Sequence, residues 1–351
     1  MDRSSFFKFF PVPEYLQFPA VGFDVSDGSV KFIELVRNGD EVVVGNYDKK
    51  SYNGDMVSAL SSIQKQYGFD RVSVSIPEEE AFFVRIRLPF IKPEEIRGAI
   101  ELQLEGYIPY PASEVEFDYE VLKTDLRPDG YVDVNVSVLP KKIIKNYLDI
   151  FQRSNLQPVS IMIEAEATSR AVVSMGSKEV VMVVNIGRVN TILSVVTNGS
   201  VWVSYTFKFG GDILVKRLQE ICKFSTEDAE MAKNEKGLIN SPGNEDVFGC
   251  LLPMVSSVRD EIRRHRHYWS EHRKEFLTGE GMGEIDKIII CGSQSVIPGL
   301  SSYLSVALSL ETALADPWVN LFDFDKYIPP IIHRDSLDYA TAIGLALNSL
   351  K

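Results

Sequence analysis

The sequence predicts an α/β protein of two similar lobes with a small α+β domain inserted into the first, and three observations predict it. At 351 residues the chain exceeds what one hydrophobic core usually serves. Two stretches share one design: AVGFDVSDGSVKFIELV at residues 20–36 and VVMVVNIGRVNTILSVVTNGSVWVSYTF at 180–207 each set apolar runs on either side of a short glycine-containing turn. Between them, residues 81–164 change character and carry strands and helices of their own.

Taken in order, residues 1–19 form an aromatic tail with Phe6, Phe7, Phe9 and Phe10, expected to tuck against the body. Strands follow at Val21 to Val25, Val30 to Val36 and Glu41 to Tyr47, joined by Ser-Asp-Gly-Ser and Asn-Gly-Asp turns that suit an antiparallel meander. Met56, Val57, Leu60 and Ile63 have helical spacing closed by Gly68, and RVSVSIP alternates as a strand, so residues 20–80 begin the first lobe. In the inserted block, 81–164, FFVRIRLP and YVDVNVSVLP alternate as strands, Pro93, Glu94 and Glu95 suit a helix start, KKIIKNYLDIFQRSN reads as a helix and LQPVSIMIE as a strand. Residues 165–351 hold the remainder of the first lobe and the second: three strands from Val180 to Phe207, several helices including a long run from Val247 to Phe276, a buried strand before Gly292, a helix with Pro298 in its first turn, and an alanine- and leucine-rich closing helix.

Composition is that of an ordinary globular protein, 45% hydrophobic and 25% charged, and a net charge of -12 argues against general affinity for nucleic acid or anionic lipid. Cys222, Cys250 and Cys291 lie far apart, which suggests neither a disulfide framework nor a cysteine zinc site and fits a reducing cytoplasm. No apolar run approaches the ~18–20 residues of a spanning helix, so membrane association is expected only through a partner or a surface contact. His265, His267 and His272 cluster on a helical run, but His265 and His272 are two turns apart, about 10 Å, too far to share one metal.

The turns carry the chemistry. A tight turn between strands presents backbone N–H groups without ladder partners, and glycine lets a phosphate approach them. Alone, either turn is only a hairpin. Paired across a cleft, the first turn (Ser26, Asp27, Gly28, Ser29) and the second (Asn185, Gly187, Asn190, Thr191) could grip a polyphosphate, with Asp24 placed to hold a hydrated Mg²⁺. In CGSQSVIPGL, Gly292 and Ser293 offer a backbone shelf for a base or ribose.

These pieces in this order resemble the actin-like (ribonuclease H-like) ATPase superfamily. Within it the chain is similar to the PilM family of type IV pilus assembly, on VGFDVSDGSVKFIEL, FKFGGDILVKRL, STEDAEMAK, CGSQSVIPGLSSYL, ADPW, ATAIGLAL and, most specifically, YIPYPASEVEFDYEVL in the inserted block. The resemblance implies ATP with Mg²⁺ in the interlobe cleft. It also implies a cytoplasmic scaffold that grips the N-terminal tail of a PilN-like membrane protein and meets other pilus platform or motor components at the inner face of the membrane. By residue it implies Asp24 holding Mg²⁺ through water, Ser29 and Lys31 flanking the phosphates, and Gly187 with Thr191 as a second grip. It further implies Gly210-Gly211 entering the next helix, Glu230 and Lys233 near ribose and base, and Gly292 and Ser293 at the adenine.

The chain departs from the family pattern at Ser26, Asn185 and Ser293, where the family carries glycine, aspartate and glycine. An amide at Asn185 cannot supply the charge that steadies a metal, so hydrolysis is expected to be slow or absent. Glu164 and Glu166 are acids able to orient an attacking water, or else a solvated strand end. The partner groove is expected to use VRIRLP and the helix around Ile96 to Leu104. An FtsA-like filament former and a sugar-kinase-like phosphotransferase stand as alternatives on the same fold.

Overall fold

The computed structural model describes residues 20–39, 41–52, 54–122, 130–276 and 283–350; the aromatic tail and Asp40 of the second turn lie outside them. The first lobe opens with the predicted meander, β1 (Ala20–Asp24), β2 (Ser29–Asn38) and β3 (Glu41–Ser51). Its first turn works because Asp27 and Gly28 both take left-handed backbone, φ 54° and 72°, the conformation of a type I′ hairpin. Helix α1 (Met56–Tyr67) is capped by Asp55, whose carboxylate accepts from Ser58 N, and closed by Gly68 at φ 75°, leading into β4 (Arg71–Ile76).

The inserted segment builds its own antiparallel sheet from β5 (Phe82–Pro89), β6 (Val115–Val121) and β7 (Tyr131–Pro140), in the order β5-β7-β6. Helix α2 (Pro93–Leu104) lays Ile96, Ile100 and Leu104 on it, over Ile86, Leu88, Val134 and Val136. The sequence reading carried this block on to Glu164, but α3 (Lys141–Arg153) buries Tyr147 and Phe151 in the first-lobe core, and β8 (Gln157–Ile163) pairs parallel with β4. The small sheet therefore ends at Pro140, and the first sheet reads β3-β2-β1-β4-β8. Helix α4 (Glu164–Val172) follows directly, so Glu164 opens a helix and is buried; it is not a solvated strand end.

The second lobe repeats the meander in β9 (Val181–Ile186), β10 (Thr191–Thr197) and β11 (Ser200–Phe207), with Asn198 and Gly199 at φ 53° and 80° forming the same kind of turn. Helices α5 (Gly211–Cys222), α6 (Thr226–Glu235) and α7 (Glu245–Phe276) precede β12 (Lys287–Cys291). Helix α8 (Leu300–Leu308) starts after Gly299, so Pro298 lies in the loop before it, and β13 (Thr312–Leu314) completes a sheet ordered β11-β10-β9-β12-β13. The closing helix α9 (Ala340–Ser349) returns to the first lobe and packs on β1 and α4. Two glycines permit this: a Cβ on Gly22 would stand 2.0 Å from Ala342 O, and one on Gly344 would stand 1.8 Å from Ala167 O. A cluster including Ile33, Val181, Val183, Cys291, Trp318 and Ile343 joins the lobes beneath the cleft. The small domain leans on the second lobe, with Asn135 Nδ2 donating to Val201 O and the Arg85 guanidinium 5.8 Å from the Trp202 ring centre.

Candidate functional site: an interlobe cleft and a two-edged groove

The turn after β1 and the turn after β9 face each other across a cavity of about 330 Å³, at the small end of ligand pockets. Ser26, Asp27, Gly28 and Lys31 line one side; Asn185, Gly187, Asn190, Gly292 and Ser293 line the other. An adjoining hollow is lined by Ser29, Glu230 and Lys233, with Lys233 buried and its Nζ 2.7 Å from Glu230 Oε2. The sequence reading thus brought most of its residues to one place.

Several of them have different employment. Asp24 is fully buried behind the turn; its Oδ2 lies 2.8 Å from Lys31 Nζ and its Oδ1 accepts from Ser75 Oγ at 3.3 Å, so it does not face the cavity. Thr191 is buried and donates to Phe209 O at 2.8 Å, which ties the second turn to the chain before α5 and leaves no hydroxyl for a phosphate. Gly210 and Gly211 are packing glycines: Cβ atoms there would stand 2.4 Å from Arg188 O and 2.6 Å from the Gln294 amide. Gly292, at φ 86°, is glycine because a Cβ would meet Asn185 Oδ1 at 2.3 Å and Ile186 O at 2.5 Å. Glu166 is absent from the cleft altogether and accepts from Ser137 Oγ at 2.8 Å in a separate groove.

Two groups that no motif signalled, Asp338 and Glu78, matter here beside Glu164, which the sequence reading did single out. Asp338, ahead of α9, places its carboxylate 3.2 Å from Lys31 Nζ and 2.6 Å from Lys49 Nζ. Burial pulls Lys31 down, but Asp24 and Asp338 outweigh it and hold the ammonium above the ordinary lysine range. Burial likewise opposes ionisation of Asp338, yet Lys31 and Lys49 prevail and its carboxyl stays below the usual range. Glu78 accepts from Ala165 N at 3.3 Å, and burial pushes it up to about 7. Burial first, then Asp24, hold Glu164 well above the usual carboxylate range, which favours its protonated form; Asn185 Nδ2 donates to it at 3.3 Å. An aspartate at 185 would set a second carboxylate against Glu164, so the amide fits the acids around it.

Lysines, paired turns and a glycine shelf suit a polyphosphate better than they suit a metal. Among the described residues no three His, Cys, Asp or Glu side chains are grouped to hold an ion. Asp24 would have to give up Lys31 before serving Mg²⁺.

The groove that holds Glu166 is larger, about 660 Å³, and lies between two sheet edges. Among the described residues β8 pairs only with β4 and β6 only with β7. Glu116, Asp118 and Glu120 give its rim negative charge; Phe117, Ile161 and Met162 give it apolar wall. The strand and helix expected to form a partner groove do not line this one: β5, which holds VRIRLP, lies on the far edge of the small sheet, toward β11, and α2 covers a face of that sheet.

Two meander sheets meeting at facing glycine turns define an actin-like protein. The structure superposes on a chain of a PilM-PilN type IV pilus biogenesis complex with TM-score 0.77 and 18% identity, covering 95% of this chain and 99% of that one. It superposes on MreB5 of Spiroplasma citri bound to AMPPNP with TM-score 0.55 and 12% identity, covering 94% and 95%. In sequence it is 21% identical over 345 residues to the cell division protein FtsA of Bacillus subtilis (strain 168), covering 85% of this chain and 78% of FtsA. The type IV pilus assembly protein PilM family matches residues 22–350, and the chain belongs to that family.

Proposed function

We propose that this chain is a cytoplasmic scaffold of a type IV pilus inner-membrane platform, and that it holds the N-terminal tail of a PilN-like membrane protein as an added strand between β6 and β8. The observation that carries the reading is the pair of strand edges facing one acidic groove. Each edge leaves backbone N–H and C=O groups without a ladder partner, and an extended peptide satisfies both while its side chains select the register. Glu116, Asp118 and Glu120 call for a basic tail, as the cytoplasmic flank of a membrane helix commonly is. Among the described residues no helix is long and apolar enough to cross a membrane, so attachment runs through the partner, where other platform or motor components also meet.

The interlobe cleft takes ATP in this reading. Lys31 and the second turn would meet the phosphates and Gly292-Ser293 the base, with Mg²⁺ arriving on the phosphates to supply charge neutralisation. Neutral Asn185 brings no charge to steady a metal or its waters, which supports binding with slow or no hydrolysis and weakens the sugar-kinase alternative. The kinship to FtsA keeps a filament former in view, and sedimentation with ATP separates it from a one-to-one scaffold.

The test is calorimetric titration with a peptide of the cytoplasmic tail of a candidate PilN-like partner, with and without Mg-ATP. The expected result is one-to-one binding that the triple variant E116K/D118K/E120K weakens at least ~10-fold, at a cost in line with several rim charges. No saturable binding in either condition overturns the reading.

A further inference from the structure

We infer that Asp27 is a built-in anion of the second phosphate turn, clasping the two lobes together without nucleotide and competing with any polyphosphate for the same backbone donors. The inference rests on the reading of the cleft as a polyphosphate site. It concerns what occupies that site when no nucleotide does.

The geometry is specific. Asp27 belongs to the first lobe, and its carboxylate crosses the cleft to accept from two successive amides of the second: Arg188 N donates to Oδ2 at 2.6 Å and Val189 N donates to Oδ1 at 3.1 Å. Two consecutive N–H groups converging on one carboxylate make an anion nest, the arrangement a phosphate oxygen pair would otherwise take. A second link holds the same turns, because Arg188 Nε donates to Asp27 O at 3.0 Å while its guanidinium reaches Asp212 Oδ2 at 3.3 Å.

The neighbouring residues are shaped for this occupant. A Cβ on Gly187 would stand 2.2 Å from Asp27 Oδ2, so glycine is what admits the carboxylate to the nest. Asp27 holds φ at 54°, a conformation that Asp and Asn tolerate better than other side-chain-bearing residues. The opposite wall follows the same plan, since Lys31 and Lys49 are both met by Asp338. Donors and cations that face a polyphosphate in this cleft are therefore already met by carboxylates of the chain. A phosphate cannot share the amides with Asp27, since two anions would be forced together, so the nucleotide-competent state is the fraction of molecules in which Asp27 has swung out. Apparent affinity falls by that fraction.

The test uses the full chain and Asp27→Gly, which removes the carboxylate and keeps the left-handed turn, with Asp27→Asn as the variant that keeps shape and loses charge. Two quantities are read: hydrogen exchange at the Arg188 and Val189 amides without nucleotide, and the Kd for Mg-ATP. The expectation is that the wild-type amides are protected, that both variants expose them, and that Asp27→Gly binds Mg-ATP at least ~10-fold more tightly than wild type. Unchanged protection in both variants overturns the inference, as does wild-type ATP affinity equal to that of Asp27→Gly. If protection is lost but neither protein binds ATP, the clasp stands as a permanent one and it is the nucleotide reading that fails. Melting curves matching wild type exclude loss of fold as the cause.

Discussion

Replacing Lys31 by methionine is expected to destabilise the protein by about 3–5 kcal/mol at neutral pH, the range found when one member of a buried ion pair is removed. Lys31 sits 2.8 Å from Asp24 and 3.2 Å from Asp338, its side chain 8% exposed and that of Asp24 0% exposed. At an effective dielectric near 20, each contact carries a gross attraction of about 5 kcal/mol, most of which the desolvation of three charges takes back. The net worth of the intact group is therefore small. What methionine changes is that Asp24 stays buried with only Ser75 to serve it, and that uncompensated charge sets the cost.

The pH dependence follows with a definite sign. Lys31 is held above its ordinary value, so its contribution is full below that value and constant from pH 5 to 7.5. Asp338 is held below its ordinary value, so its contribution is full above about 4 and also constant across that window. The wild type should then change little on account of this group, while the deficit of Lys31→Met shrinks toward pH 5 as the stranded carboxylates take up protons. Urea unfolding followed by tryptophan fluorescence at both pH values measures it. The double variant Asp24→Asn/Lys31→Met should recover most of the loss, because no charge is left stranded. A single-variant deficit under about 1 kcal/mol, or one equal at both pH values, refutes the account.

Two further outcomes follow from packing and burial. Gly344→Ala would place a methyl 1.8 Å from Ala167 O at the crossing of α9 and α4, and backbone on both sides leaves little room to yield. The expected cost is at or above the upper end of the ~1–3 kcal/mol of overpacked cores, and a melting temperature equal to wild type would contradict that crossing. Glu78, pushed up to about 7 from an ordinary 4.5, favours folding fully below 4.5, and that share is lost as pH rises through 7. Its partial exposure makes roughly 3 kcal/mol a ceiling for the loss, and Glu78→Gln should remove it; parallel stability curves for the two proteins from pH 5 to 8 would sink the assignment.

The meanders were legible because turn chemistry is local: Asp27-Gly28 and Asn198-Gly199 state their left-handed backbone in two letters, and the flanking apolar runs supply the strands. The destination of residues 141–163 was not, since a parallel pairing with β4 across the whole inserted sheet leaves no mark in periodicity. Asp338 was hidden for the same reason, its partner Lys31 lying 307 positions away. The misplacement of Glu166 has a more exact cause. Read as a strand end, positions 164 and 166 share a face; in a helix they stand about 200° apart, so one enters the cleft and the other the groove. Thr191, Gly210 and Gly211 show that residue types suited to phosphate serve equally well to close a packed turn.

That same half-turn of helix ties the two sites together. β8 forms one edge of the groove and runs without a break into α4, whose first residue Glu164 faces the cleft and whose third, Glu166, faces the groove. Asn185 of the second lobe donates to Glu164, and Ser137 of the small domain donates to Glu166, so all three parts of the molecule bear on one turn. A ligand that repositioned the second turn relative to the first would bear on Glu164 through Asn185, and Glu166 stands on the same turn of helix. The peptide titration is therefore run with and without Mg-ATP, and linkage makes the comparison strict: whatever factor ATP imposes on peptide affinity, the peptide must impose on ATP affinity. A scaffold needs no turnover to use that relation. It needs a cleft whose occupancy is felt at the groove, and in this chain Glu164 and Glu166 set the two cavities on one turn of helix, which is what the paired titrations test.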